Sequence, residues 1–185
     1  EMPKTIKSID YYAFSNCKFL QTVVIPDSIT LLRAGVFKNC ESLYAVTFPI
    51  HLDEIMYDAF SGCVKLDSIN LPHSISTIQH DAFENTALYN NKLNWDEGLL
   101  YIDEYLIDAE DSLLKSDCII KEGTRLIANY AFSYCDSLQS VEIPNSVTKI
   151  GYAGFYYCTN LQSIHIPNTV KEIGASAFSG CYKLE

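Results

Sequence analysis

Apolar and polar residues alternate along this chain in a pattern that recurs every 23 residues. In one repeat, Leu138 is followed by Val141 and Ile143, which are two residues apart with a polar residue between them, and Pro144 comes next. Residues two apart lie on one face of a strand, and proline cannot donate to a strand ladder. Each repeat therefore predicts a short β-strand with an apolar inner face, ending at the proline. The prolines on this step are Pro3, Pro26, Pro49, Pro72, Pro144 and Pro167.

A second apolar pair follows the proline at three and six residues, as in Val147 and Ile150, and predicts a second short extended segment. The motif Ala-Phe-x-x-Cys then completes the repeat. It is too short for a stable helix and predicts a tight or 3₁₀ turn. Each repeat is therefore expected to form one coil, with successive strands paired about 4.8 Å apart.

The 23-residue step also places one phenylalanine and one cysteine at the same point of successive coils. Stacked rings attract when offset, so the phenylalanines predict a buried aromatic column. Equivalent Cβ atoms lie too far apart for a disulfide, so we predict that the cysteines, with Cys118 in a strand position, are reduced core residues. These residues are Phe14, Phe37, Phe60, Phe83, Phe132, Phe155 and Phe178, followed by Cys17, Cys40, Cys63, Cys135, Cys158 and Cys181.

The repeat pattern is interrupted between Phe83 and Phe132, which are 49 residues apart, and Lys121 replaces a proline there. We expect one solenoid over 1–185, with regular repeats at 1–87 and 121–185 and an irregular repeat at 88–120. The chain starts and stops inside a repeat, so we expect a longer array. Within the irregular repeat, residues 98–108 form two apolar runs around Asp103 and Glu104 and predict a β-hairpin.

Two interpretations of this hairpin remain open. Insertions in solenoids are extruded to one face and often bind, which would make Trp95, Tyr101 and Tyr105 contact residues. Alternatively, the segment is a variant coil over which these aromatics pack, and its acidic residues are merely solvated. A calcium site is conceivable on charge alone, although the spacing is not that of an EF-hand loop. Its ligands would be Asp103, Glu104, Asp108, Glu110 and Asp111.

The composition excludes several classes of partner. The chain has 185 residues, is 48% hydrophobic and carries a formal net charge of -10. Nucleic acids and anionic lipids are bound mainly through Lys and Arg, so we expect no nucleic acid partner. No apolar run approaches the roughly 20 residues that span a bilayer, so we expect no membrane insertion by this segment. Phosphate-loop, zinc-protease and hydrolase motifs are absent from the sequence, and we predict no catalytic residues, metal or cofactor.

The outward positions of the predicted strands, two and four residues before each proline, are small, polar and nearly uncharged. We call these positions the strand face. Such a face could accept an extended protein segment or a glycan, although any solvated strand shows similar hydroxyls. Together with the edge residue Tyr44 and the irregular repeat, the predicted ligand-binding residues are Thr22, Val24, Tyr44, Thr47, Ser68, Asn70, Ser140, Glu142, Ser163, His165, Trp95, Tyr101 and Tyr105.

The repeated sequence resembles a known family. Leu-Gln-Ser-Val-Glu-Ile-Pro at 138–144, Val-Thr-Lys-Ile-Gly at 147–151 and Ala-Phe-Ser-Gly-Cys at 177–181 are similar to the 23-residue BspA-like class of leucine-rich repeats. The resemblance covers nearly the whole chain. It implies a β-rich leucine-rich-repeat solenoid with one parallel strand ladder, short extended segments and 3₁₀ turns. The family is typical of secreted or surface-attached bacterial proteins and of some protozoan parasites, and its pattern includes no catalytic residues.

The resemblance implies a role in recognition. Members are associated with adhesion to host proteins or cells, so we expect a non-enzymatic module, extracellular or at the cell surface, that binds a protein or glycan on a host or neighbouring cell. Two alternatives remain: a structural spacer, and a regulatory or substrate-selecting region of a larger enzyme.

Overall fold

The computed structural model describes residues 2–185, which form two compact units. Unit 1 ends at Asn94 and unit 2 comprises Trp95–Glu185. Each unit is a solenoid of short strands and turns with very little helix, as the repeat pattern predicts. The organisation of residues 1–185 as a single solenoid stays a prediction.

Unit 1 contains five short strands and one helical turn. Successive strands of the same kind lie one repeat apart, because the sequence period fixes the register. The elements are β1 (Thr22–Val24), β2 (Leu31–Leu32), β3 (Ala45–Thr47), β4 (Glu54–Ile55), β5 (Thr77–Ile78), the helix α1 (Ala87–Asn90) and a 3₁₀ turn at Lys92–Asn94.

These strands form two parallel ladders. The strands that precede the prolines pair as β1 and β3, with Val23 opposite Val46. The second extended segments also pair, in the order β2, β4 and β5, with Ile55 opposite Ile78. The second ladder adds to the single ladder expected from the sequence. It forms because the post-proline segments recur at the same 23-residue interval.

Unit 2 contains nine strands and a 3₁₀ turn at Asp111–Leu113. The predicted hairpin is confirmed: β7 and β8 pair antiparallel, and Asp103 between them has φ 51°. A further strand that the sequence did not predict, β6, pairs antiparallel with β7. The strands are β6 (Trp95–Asp96), β7 (Leu99–Ile102), β8 (Tyr105–Ala109), β9 (Asp117–Ile119), β10 (Leu126–Ile127), β11 (Ser140–Glu142), β12 (Lys149–Ile150), β13 (Ser163–His165) and β14 (Glu172–Ile173).

The hairpin continues directly into the repeat architecture of unit 2. Strand β8 pairs in parallel with β10, which is followed in the same sheet by β12 and β14. The strands that precede the proline positions form the other ladder, β9, β11 and β13. The irregular repeat therefore supplies one strand to each ladder of unit 2.

The phenylalanine column is confirmed in both units, although Phe14 and Phe178 at its ends are only half-buried. In unit 1 the ring centroids of Phe37 and Phe60, and of Phe60 and Phe83, are 5.6 Å apart. In unit 2 the centroids of Phe132 and Phe155 are 4.7 Å apart. These five rings are almost completely buried and stacked with small interplanar angles. The column is the centre of each unit's core.

All seven cysteines are free thiols, as predicted. Five of them are buried. The Sγ atoms of four cysteines of the Ala-Phe-x-x-Cys motif donate to the carbonyl oxygen of a phenylalanine in the preceding coil, as in Cys63 to Phe37 at 3.2 Å and Cys158 to Phe132 at 2.9 Å, whereas Cys135 donates to the carbonyl of Ala109. Burial raises the pKa of Cys63 to about 12, so it remains a neutral thiol. Core placement was wrong for Cys17, which is exposed because a described coil covers it on one side only.

The turns at the end of each coil bond to the next coil as well as to themselves. Within one turn, the amide of Cys40 donates to the carbonyl of Phe37 at 3.1 Å, which confirms the predicted tight turn. The amides of Phe37 and Asn39 donate to the carbonyls of Ala59 and Ser61 in the next coil, at 2.9 and 2.7 Å. Two residues per turn have positive φ, as at Gly35 and Asn39. We call the surface formed by these turns the turn face.

Candidate functional site

The strand face of unit 1 exposes small side chains in two rows. The register places Thr22 beside Ala45 and Val24 beside Thr47. All four side chains point away from the core, since Val23 between them is buried and they are exposed. Tyr44 lies at the edge of this face with 51% of its surface exposed, and its amide donates to the carbonyl of Gln21 at 2.9 Å.

Ser68 and Asn70, predicted for the same face, are exposed but lie outside any strand. The Ser68 hydroxyl donates to Asp67 at 3.1 Å. The strand predicted before Pro72 is therefore wrong. The structure of the following coil explains part of its absence. One repeat later the chain forms α1 and the 3₁₀ turn at Lys92–Asn94, which offer no strand for pairing.

The strand face of unit 2 brings two rows of side chains together more regularly. One row contains Asp117, Ser140 and Ser163, at equivalent positions of β9, β11 and β13. The second row contains Ile119, Glu142 and His165. These residues, with the three between the rows, line an open groove of about 450 Å³. Predicted residues Ser140, Glu142, Ser163 and His165 therefore lie in one site.

The chemistry of this groove differs along its length. At one end the Ser140 hydroxyl donates to a carboxylate oxygen of Asp117 at 2.6 Å, so the acidic group is oriented. Glu142 lies between Ile119 and His165 in the other row, and 71% of the Ile119 side chain is exposed. The site combines two carboxylates that accept hydrogen bonds, Asp117 and Glu142, with one apolar contact, Ile119. Such a set suits recognition of a partner surface.

The three aromatic residues predicted from the irregular repeat do not form one surface. Tyr105 is completely buried, and its hydroxyl accepts from Nη2 of Arg125 at 2.8 Å. The Tyr101 hydroxyl accepts from the amide of Lys121 at 3.1 Å. Burial raises the pKa of both tyrosines to about 12. Trp95 is half-buried in β6. Tyr105 therefore cannot reach a ligand, and its role is packing.

The acidic residues considered as calcium ligands contact different partners in the structure. Glu104 pairs with Nε of Arg125 at 2.8 Å, Asp111 accepts from the hydroxyl of Ser137 at 2.6 Å, and Asp108 accepts from the amide of Ala109 at 2.8 Å. Across residues 2–185, no group of three or more potential ligands is arranged to hold a metal ion.

The family model for the BspA type leucine rich repeat region matches the chain in six copies, over residues 1–114 and 110–185. The chain belongs to this family. The BspA-type pattern explains both the strand ladders and the phenylalanine column, because both recur at its 23-residue step. None of the curated proteins matches the chain significantly.

Several solved structures are similar to this BspA-type chain. A leucine rich cell surface protein from Faecalibacterium prausnitzii A2-165 is 30% identical, with a TM-score of 0.48, and the match covers 94% of this chain and 48% of that protein. The leucine rich repeat protein of T. pallidum is 28% identical, with a TM-score of 0.45 and coverage of 95% and 70%. A leucine-rich repeat protein from Bacteroides ovatus ATCC 8483 is 21% identical, with a TM-score of 0.43 and coverage of 95% and 68%. The chain thus spans about half of the F. prausnitzii protein.

Two residues of the unit 2 groove were missed from the sequence. Asp117 and Ile119 occupy strand-face positions four and two residues before Lys121, which replaces the BspA-type proline. Counting back from Lys121 as though it were a proline would have identified both. In the described part of the chain, no helix combines the length and apolar character that a membrane span requires.

Proposed function

We propose that this BspA-type chain is a non-enzymatic recognition module of a secreted or surface-attached protein, and that its strand faces bind a protein or glycan during adhesion to a host or neighbouring cell. The observation that carries the proposal is the open groove of about 450 Å³ over β9, β11 and β13. Leucine-rich-repeat solenoids present such strand surfaces for binding.

The groove has the properties expected of a contact surface. Its strands are held by backbone pairing on an apolar core, with Val141 and Cys118 buried beneath it, so the outward side chains are positioned without a partner. The exposed Ile119 supplies an apolar contact, and Glu142 and Asp117 supply acceptors. A rigid scaffold lowers the entropy that binding must offset.

A binding assay with surface variants tests this proposal. The immobilised chain is exposed to a panel of extracellular-matrix proteins and of defined glycans. Glu142→Lys, alone or with Ser163→Arg, places positive charge and bulk in the groove and should reduce retention of the partner at least about tenfold. Glu172→Lys is the matched control, since it makes the same charge change at an exposed position of the other ladder and breaks only a surface ion pair with Lys149.

Retention of no partner across the panel would contradict the proposal and favour the structural spacer. Equal loss in the Glu172→Lys control would show that overall charge, and not the groove, controls binding.

A further inference from the structure

Unit 2 carries a connected group of tyrosines on its turn face, which we call the tyrosine cluster. Tyr156 and Tyr157 have ring centroids 4.6 Å apart, and Tyr134 lies 5.7 Å from each of them. The contacts extend over three successive coils. The cluster consists of Tyr130, Tyr134, Tyr152, Tyr156, Tyr157 and Tyr182.

Three of these tyrosines occupy backbone positions that disfavour them. Tyr130, Tyr134 and Tyr157 have φ of 63°, 60° and 56°. A bulky side chain in the left-handed region is unusual and destabilises the backbone locally. At the position of Tyr134 and Tyr157, the other regular coils have residues that tolerate this conformation: Asn16, Asn39, Gly62, Asn85 and Gly180.

Packing explains only part of the cluster. The ring of Tyr157 covers Gly180, where an added Cβ would lie 2.6 Å from a ring carbon. This contact accounts for one ring. Tyr134, Tyr152 and Tyr182 remain 61%, 44% and 73% exposed. Isolated exposed tyrosines are ordinary, but several in contact form a surface of the kind that is enriched at binding interfaces.

The charge of unit 2 indicates which partner would suit this surface. Residues 95–185 contain thirteen acidic and six basic side chains, and eight of the acidic ones lie at 96–117. This segment adjoins the coil of Tyr130 and Tyr134, so the excess negative charge lies beside that end of the cluster, whereas residues 121–185 carry five acidic and five basic side chains. Aromatic faces attract cations, arginine more often than lysine, and a surrounding negative field increases the attraction. Burial and the hydrogen bond with Tyr152 raise the pKa of Tyr130, so its hydroxyl stays protonated at neutral pH.

We infer that the tyrosine cluster is a second interaction surface of this chain, which binds an arginine-bearing segment of a partner protein. The cluster lies on the turns and uses different residues from the groove on the strands. The inference therefore does not depend on what the groove binds.

Asparagine variants test the inference without damaging the fold. Tyr134→Asn with Tyr157→Asn introduces the residue that other coils use at this position, so its melting temperature should equal or exceed that of the wild type. The substitutions leave the net charge unchanged. Phe19→Asn is the matched control, because Phe19 is an exposed aromatic residue of unit 1 that lies outside both the strand face and the tyrosine cluster.

The probe is a fluorescent peptide of alternating glycine and arginine, titrated against the complete chain at fixed ionic strength. Its affinity should fall at least about fivefold in the double variant and stay unchanged in Phe19→Asn. Hydroxyl-radical footprinting should show protection of Tyr134 and Tyr182 by the peptide. A glycine-glutamate peptide should not bind.

Unchanged affinity in the double variant would overturn the inference and assign the cluster to packing. It would also be overturned if the cluster variants lost binding of chitohexaose but not of the arginine peptide, or if they dissociated a dimer of the wild-type chain. Loss in Phe19→Asn as large as in the double variant would show that the effect does not belong to the cluster.

Discussion

Truncation of Phe60 tests whether the phenylalanine column stabilises the solenoid. Phe60 is completely buried, with Phe37 and Phe83 each 5.6 Å away on its two sides and Phe48 in edge contact at 5.9 Å. Phe60→Ala removes the ring and leaves a cavity in a close-packed stack. A buried phenylalanine truncated to alanine costs about 3 to 5 kcal/mol.

We expect a value in the upper part of that range. Alanine removes all three ring contacts at once, and each aromatic pair contributes about 0.5 to 1.5 kcal/mol beyond simple burial. The two neighbouring rings belong to adjacent coils, each held by its own backbone ladder, so they cannot easily collapse into the space. With a typical slope of about 2 kcal/mol per molar urea, the midpoint should fall by roughly 2 M.

Equilibrium urea unfolding followed by circular dichroism measures the change. Phe19→Ala is the matched control, since 94% of the Phe19 side chain is exposed and its removal should cost less than about 0.5 kcal/mol. A Phe60→Ala variant within about 1 kcal/mol of the wild type would refute the claim that this column is the centre of the core.

Three further predictions concern polar groups that are buried or half-buried. Burial raises the pKa of the Cys63 thiol from 9.0 to about 12 in the folded chain, so this thiol ionises at lower pH in the unfolded chain. The free energy of unfolding should therefore fall between about pH 9 and 12, and it should fall less steeply in Cys63→Ala. Urea titrations at each pH measure the slope. Thr86→Val should cost about 1 to 2 kcal/mol in urea unfolding and Thr86→Ser much less, since the buried hydroxyl donates to Phe83 and accepts the amide of Tyr89. Arg125→Lys should lower stability by about 1 to 2 kcal/mol in thermal unfolding, because lysine cannot reproduce the paired contacts with Glu104 and Tyr105, and an unchanged melting temperature would contradict that role.

The sequence period was sufficient to predict the regular part of the fold. A step of 23 residues places Val141 opposite Ile164 and stacks Phe132 on Phe155, because a residue and its equivalent one coil later must occupy the same place. The same step predicts the strand face and so identified Ser140, Glu142, Ser163 and His165. Repetition of the sequence alone fixes the register of the paired strands.

The irregular repeat could not be predicted in the same detail. The hairpin follows from its two apolar runs, but the burial of Tyr105 depends on Arg125, which is 20 residues away, and no other coil has an arginine at this position of the repeat. Without a register to count, the sequence does not show which aromatic faces inward. Residues Tyr101 and Tyr105 therefore appeared equivalent, although Tyr101 is half-buried and Tyr105 fully buried.

The tyrosine cluster was missed for a different reason, which bears on how function can be found in a repeat array. Stacking favours the same residue at equivalent positions of every coil, so a residue that is the same in most coils is explained by folding. Tyr134 and Tyr157 occupy positive-φ positions at which Asn39 and Gly62 satisfy the backbone better. The backbone conformation does not favour tyrosine at these two positions. Tyr134 and Tyr157 are therefore better explained by a function, such as binding, than by folding.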